Sequence, residues 1–359
     1  MSKRRMPLLT LMTLLSLGLV APRVLGDPIA YNVTALGQGT PIGINDQGQV
    51  GLGGPYGYSG GYPGYTNYDY YPSTVNIYNS LGPNAGTLTA PSASGPIPGG
   101  GNGTTVPWIN DAGGTTGIDS QMNAYVNIGG VKQQIGPPFA NGTPWTDPKA
   151  INDAGQVVGE AWLPTDTGGY HAFLYSGGVL QDLGTLGGRM SMADAINSGG
   201  VVVGWSLASS TQPNQDGPLH AFVYQNGAMT DLTPALGNNW SQAYGINSSG
   251  VIVGDMSSSY YGPWHAFMLD NGKVTDLNSL LPPGSNWTLV AATGINDLGQ
   301  IIGIGVDNGV TATFLLTPSS LGAPPNLPVP EPSSLIGFAG ILAAVIARRT
   351  IAARGMPRH

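Results

Sequence analysis

The dominant signal along this chain is short apolar runs punctuated by Asn/Gly turns. Ile-Asn followed by a glycine-containing turn occurs at Ile44-Asn45, Ile109-Asn110, Ile151-Asn152, Ile196-Asn197, Ile246-Asn247 and Ile295-Asn296, at spacings of 65, 42, 45, 50 and 49 residues. An apolar run then closes on glycine, as in Val201-Val202-Val203-Gly204 and Val251-Ile252-Val253-Gly254. His-Ala-Phe begins at His171, His220 and His265, and Asp-Leu ends the unit at Asp182, Asp231 and Asp276. The pattern predicts four strands per unit: a ends in Ile-Asn, b is the Val/Ile run, c carries His-Ala-Phe and d ends in Asp-Leu. The a–b and c–d connections, such as Asn152-Asp153-Ala154-Gly155 and Asn226-Gly227, have the chemistry of tight hairpins, because Asn and Gly accept positive φ. A four-stranded antiparallel meander repeated every 40–50 residues is the pattern of propeller blades.

The strand count bears on closure. Six a strands and six c strands are present, the weaker c strands lying near 74–78, 123–128 and 311–315. Only five d strands follow a c strand, near Leu88, Ile135, Leu183, Leu232 and Leu277. Tyr31–Leu36 reads as an unpaired d-like strand that would complete the last blade and cover its open edge. The expected fold is therefore an all-β, six-bladed β-propeller closed by an N-terminal strand, spanning 27–317, with a β-sandwich or open β-repeat array as the alternative.

Both ends have a different character. Residues 1–26 combine Lys3, Arg4 and Arg5 with an apolar stretch from Leu8 to Val20 and the small-residue site Val24-Leu25-Gly26. That is the layout of a signal peptide cleaved between Gly26 and Asp27. A Pro-rich linker, 318–329, leads to Pro330-Glu331-Pro332, then to an uncharged apolar run from Leu335 to Ala347 and to Arg348-Arg349. A helix of 13–15 residues reaches about 20–22 Å, less than the ~30 Å hydrocarbon core, and the arginines would hold its end on the cytoplasmic side. A plain single-span anchor is the alternative.

The internal motifs resemble the HAF-repeat family of exported bacterial proteins, over most of residues 30–316. The last segment, 330–359, resembles the PEP-CTERM sorting signal of Gram-negative-type bacteria: motif, short span and basic cluster stand in that order. The tail Thr350–His359 is longer than the family's usual end. The resemblance implies processing by signal peptidase and by exosortase, a membrane-embedded protease/transpeptidase. It implies residence at the cell surface or in the matrix, after transient anchoring through 334–347. PEP-CTERM systems are associated with exopolysaccharide, which makes exopolysaccharide or matrix proteins the expected partners.

Composition narrows the chemistry. There is no cysteine, and only 9% of residues are charged. Between Arg23 and Arg348 stand four basic residues, Lys132, Lys149, Arg189 and Lys273, against 19 acidic ones, a net charge of −15. Such a body repels phosphate backbones, which excludes nucleic acid as a partner. The three histidines recur in one register of separate blades, with Asn123 and Thr311 in that place elsewhere, so a shared metal is not expected and a capping or packing role is. Asp46, Asp111, Asp153 and Asp297 fall in a–b turns, where Asp caps its own backbone. Glu160 and Asp255 each follow the last glycine of strand b. They form a candidate carboxylate pair for glycan cleavage, with solvated loop acids as the simpler reading. No cofactor, metal or catalytic residue is assigned, and the expected function is non-enzymatic. A propeller enzyme acting on glycans is the alternative.

The aromatic residues mark a candidate binding face. Trp162, Trp205 and Trp264 fall in b–c segments, and Trp145, Trp240 and Trp287 in d–a segments; only Trp108 is expected in a strand. The Gly51–Tyr71 insert adds seven tyrosines to another b–c connection. Strand order puts all these connections on one side of the disc, where flat amphipathic rings suit sugars or protein partners.

Overall fold

The computed structural model describes residues 31–39, 41–52, 76–79, 87–89, 108–110, 113–119, 121, 123–136, 145–163, 169–210 and 217–319. The expected signal peptide with its Gly26/Asp27 site, Pro330-Glu331-Pro332, the apolar segment 334–347 and Arg348-Arg349 lie outside the described residues. Among those described, no helix is long and apolar enough to cross a membrane.

The chain enters the fold through β1 (Tyr31–Ala35). Blade 1 follows as β2 (Pro41–Ile44), β3 (Gln49–Leu52), β4 (Asn76–Asn79) and β5 (Thr87–Thr89). Blade 2 is β6 (Trp108–Ile109), β7 (Thr115–Ile118), β8 (Ala124–Ile128) and β9 (Val131–Gln134). Blade 3 is β10 (Thr146–Ile151), β11 (Val157–Ala161), β12 (His171–Ser176) and β13 (Val179–Asp182). Blade 4 is β14 (Gly187–Ile196), β15 (Val202–Ala208), β16 (Leu219–Gln225) and β17 (Ala228–Asp231). Blade 5 is β18 (Trp240–Ile246), β19 (Ile252–Ser257), β20 (His265–Asp270) and β21 (Lys273–Asp276). Blade 6 is β22 (Trp287–Ile295), β23 (Ile301–Asp307) and β24 (Val310–Pro318), completed by β1.

The expected closing strand is there. Tyr31 pairs with Pro318, Val33 with Leu316 and Ala35 with Phe314, all antiparallel. Leu36 N–H donates to the Thr313 carbonyl, and Thr313 N–H returns a bond to the Gly37 carbonyl. The last strand reaches one residue beyond 317, to Pro318, which stands opposite Tyr31 and past the end of the pairing with β23. Its connections differ from expectation in one place: the b–c link of blade 6 is a two-residue turn, Asn308-Gly309 at φ 49° and 82°, not a long loop. These are the positive φ values of a primed hairpin turn.

Cores lie between successive blades. Val158, Ala172 and Leu183 of blade 3 meet Ala193, Ile196, Val202 and Phe222 of blade 4. Val253, Ala266 and Leu277 of blade 5 meet Leu289, Ala292 and Phe314 of blade 6, and Tyr31 joins them. Ile302 and Leu315 of blade 6 meet Leu36, Val50 and Leu52 at the start of the chain. The phenylalanines of the c strands, Phe173, Phe222, Phe267 and Phe314, are fully buried. Each such ring contributes about 1.5–3 kcal/mol by leaving water. Phe267 stands opposite Gly254, and Phe314 opposite Gly303, so the repeated Gly and the repeated Phe occupy one slot.

A regular bulge explains why that slot demands glycine. The innermost strands gain one residue three positions before the Asn: Lys149 in blade 3, Asp194 in blade 4, Tyr244 in blade 5 and Thr293 in blade 6. The bulge folds a carbonyl onto the neighbouring strand. A Cβ at Gly204 or Gly254 would collide with the carbonyl oxygen of Met192 or Gln242. The terminal Gly of the Val/Ile run is therefore a consequence of the bulge beside it.

Candidate functional site

The six Ile-Asn turns converge on one cavity of about 270 Å³, bordered by Asn45, Asn110, Asn152, Asn197, Asn247 and Asn296. Each asparagine closes its own hairpin, and five of the six also reach the next blade. Its Oδ1 accepts the N–H four residues on, at 2.8 Å from Gln49 and 3.0 Å from Val201, for instance, closing its own hairpin. In all but Asn45, whose Nδ2 donates to Gln49 Oε1, the Nδ2 donates to the backbone carbonyl of the next blade's asparagine. The sequence of donors runs Asn110 to Asn152, Asn152 to Asn197, Asn197 to Asn247, Asn247 to Asn296 and Asn296 to Asn45, at 2.7–3.2 Å. Two of the turn aspartates, Asp46 and Asp297, also link blades. Asp297 Oδ1 accepts from Ser248 N–H at 2.7 Å, and Asp46 Oδ1 accepts from Asp297 N–H at 2.8 Å. This end of the disc is a structural seam.

The histidines belong to a second seam. His171, His220 and His265 place Nδ1 3.1, 2.8 and 2.9 Å from the carboxylates of Asp182, Asp231 and Asp276. Oδ1 of each aspartate accepts an N–H in the d–a connection, from Gly184, Thr233 and Asn278. His-Ala-Phe and Asp-Leu are thus two halves of one clamp. In blade 6 the histidine register falls on Ala312, paired with Gly305, one residue later than Thr311. Among the described residues, no group of three or more His, Cys, Asp or Glu could hold a metal ion.

Titratable chemistry gathers instead on the inner wall of blades 3, 4 and 5. Glu160 and Asp255 are 8% and 4% exposed, which corrects the reading of them as solvated loop acids. They lie within β11 and β19, opposite Asp147 and Gln242 of the innermost strands. Asp194, in the bulge of β14, completes the group. The residue as a whole is half-buried, but its Oδ2 is shut off from solvent and accepts no hydrogen bond. Burial pushes the Asp194 carboxyl up to about 8; Lys149 opposes the shift and Glu160 adds to it. Burial likewise raises Asp255 well above the carboxylate range, against hydrogen bonds from Tyr244 and Gln242 and with Asp194 adding to the rise. Tyr244 O–H donates to Asp255 Oδ2 at 3.3 Å, while Asp255 Oδ1 has no partner. Sequence reasoning missed Asp194, although its place three residues before an Ile-Asn asparagine, like that of Lys149 and Tyr244, was there to be read.

The registers put Trp145, Trp162, Trp240, Trp264 and Trp287 at the end of the blades opposite the asparagine turns. Trp145 precedes β10, and its carbonyl accepts the Trp162 N–H at 2.9 Å. Both indoles meet Tyr170 edge-on, at centroid distances of 5.6 and 5.3 Å. Trp162 is 37% exposed. In blade 5, Trp240 packs on Tyr260 at 4.9 Å, and Tyr260 meets Tyr261, which is 74% exposed, at 4.7 Å. Trp287 lies edge-on to Phe314 at 6.3 Å. Trp264 is half-buried, with its indole N–H unpartnered. Trp205 departs from expectation. It lies inside β15, 8% exposed, in a cluster with Leu207 and Leu219 on which Met190 and Trp240 also pack. Strand b of blade 4 runs four residues past its glycine, which carries Trp205 into the sheet.

No protein-family model matches this chain, and no curated protein matches it. Among solved structures, a subtype N11 neuraminidase-like protein of A/flat-faced bat/Peru/033/2010 (H18N11) is similar, at 11% identity and a TM-score of 0.39, over 83% of this chain and 96% of that one.

Proposed function

We propose that this chain is an exported surface or matrix protein, sorted by exosortase, whose propeller binds and does not catalyse. The surface is the aromatic end of blades 3 and 5, and the partner class is exopolysaccharide. The observation that carries this reading is the pair of aromatic stacks, Trp145–Tyr170–Trp162 and Trp240–Tyr260–Tyr261. Each is fixed at its base and offers one exposed ring, Trp162 or Tyr261. Rings held this way meet the apolar face of a sugar without first losing rotamer freedom. A body so poor in lysine and arginine favours a neutral or sparsely charged polymer over a strongly anionic one. Purified protein titrated with exopolysaccharide fragments tests the reading: saturable binding supports it, and none overturns it. Intact mass of surface-extracted protein tests the sorting step, which predicts a start at Asp27 and loss of the segment after Pro330-Glu331-Pro332.

A glycan-cleaving enzyme is the second reading, favoured by the grouping of the carboxylates Glu160, Asp194 and Asp255, of which burial raises the last two. Binding is preferred because Glu160 and Asp255 are enclosed in the wall. Release of reducing ends from the same fragments by wild-type protein, lost in Asp255→Asn, would reverse that preference.

A further inference from the structure

The inner wall of blades 3–5 holds four carboxylates and a single cation. Asp147 and Lys149 come from β10, Glu160 from β11, Asp194 from β14 and Asp255 from β19. Lys149 Nζ already lies 2.8 Å from Asp147 Oδ2. The elements packed around add little charge. β15 and β22 carry no titratable side chain, and β18 supplies Tyr244 alone. On β12, His171 is held by Asp182 and Tyr175 lies toward the other end; on β20, His265 is held by Asp276 and Asp270 ends the strand. Arg189 on β14 is five residues from Asp194. An ionised Asp194 or Asp255 would keep neither water nor a full set of donors, since one oxygen of each has no partner.

We propose that this wall is a proton-held lock: Asp194 of blade 4 and Asp255 of blade 5 are enclosed as neutral carboxylic acids, and their ionisation in mildly alkaline solution loosens the packing of blades 3, 4 and 5 but not blade 6. The sign follows from the displaced protonation. A carboxyl raised above its unfolded value binds more protons in the folded state, so its contribution falls as pH rises from about 4, and the loss is complete above about 8 for Asp194. At the matching places in blade 6 stand Ala291, Thr293 and Ile304, which do not titrate. In blades 3 and 5 the wall continues along the same strands into the aromatic stacks. Trp145 is two residues before Asp147, Trp162 two after Glu160 and Trp240 two before Gln242. If binding occurs at the aromatic end, as proposed above, affinity should follow the lock; the lock itself does not depend on that reading.

The test is thermal unfolding of the purified protein at pH 6 and pH 9, beside the double variant Asp194→Asn/Asp255→Asn. The wild type should melt about 5–10 °C lower at pH 9 than at pH 6, and the variant should lose most of that difference. A wild type indifferent to pH, or a variant with an undiminished difference, overturns the proposal. Hydrogen exchange of the wild type, corrected for intrinsic rate, gives a reading that needs no variant. Protection in 187–196 and 252–257 should fall at pH 9 relative to 301–307, and a uniform change would contradict the lock. Fragment binding measured at the same two pH values separates this failure from failure of the binding reading.

Discussion

Blades 5 and 6 have one backbone and two chemistries. Both carry the inner-strand bulge, at Tyr244 and Thr293, and both place a glycine, Gly254 or Gly303, where a carbonyl leaves no room for a Cβ. Both bury a c-strand phenylalanine beside that glycine, and their asparagines pass the same bond to the next blade. Yet blade 5 puts Gln242, Tyr244 and Asp255 on the inner wall, where blade 6 has Ala291, Thr293 and Ile304. The His265–Asp276 clamp of blade 5 has no counterpart in blade 6, whose matching residue is Ala312. The positions that build the ring are repeated, and those that differ between blades are free to carry function.

The largest expected effect falls on what the blades share. Gly254→Ala and Gly303→Ala should both leave little folded protein, each costing about 4 kcal/mol or more, because backbone atoms must move. Circular dichroism melts check this, and a wild-type melt for either variant would break the equivalence. Asn247→Ala removes two bonds at once, to Val251 N–H and to the Asn296 carbonyl, and strands a buried group. It should cost about 2–4 kcal/mol in denaturant unfolding. His265→Ala should cost only about 1 kcal/mol, since the clamp is part-exposed. Thr293→Val should be neutral or slightly stabilising, because the Thr293 hydroxyl is buried without a partner. Tyr244→Phe at the same bulge of blade 5 should instead destabilise by about 1 kcal/mol through the bond lost to Asp255. Equal effects at the two bulges would erase the difference between the blades.

The fold was legible because a repeat writes its strand boundaries several times. Six Ile-Asn turns and a missing sixth d strand were enough to place Tyr31–Leu36 against the last blade. What stayed hidden were contacts one repeat away. Nothing local to Asn197 announces a bond to the carbonyl of Asn247, 50 residues on. The bulge was hidden too, since one inserted residue breaks the period-two alternation that separates wall from core. Asp194 therefore escaped notice. Glu160 and Asp255 read as loop acids because strand b runs on past its glycine, to Ala161 and Ser257. Trp205 was misplaced for the same reason: strand b of blade 4 continues past Gly204 to Ala208.

The most direct test of the account is a calorimetric titration of exopolysaccharide fragments into the wild type and into Trp162→Ala/Tyr261→Ala, with melts of both. Each ring contributes about 0.5–1.5 kcal/mol beyond its buried area, so the variant should bind about ten-fold more weakly or worse. Its melting temperature should stay within about 2 °C of the wild type, because both rings are exposed. Saturable binding that weakens in this way is the predicted result. Undiminished binding by the variant, or a large fall in its melting temperature with binding intact, would show that the rings only pack the ends of the blades.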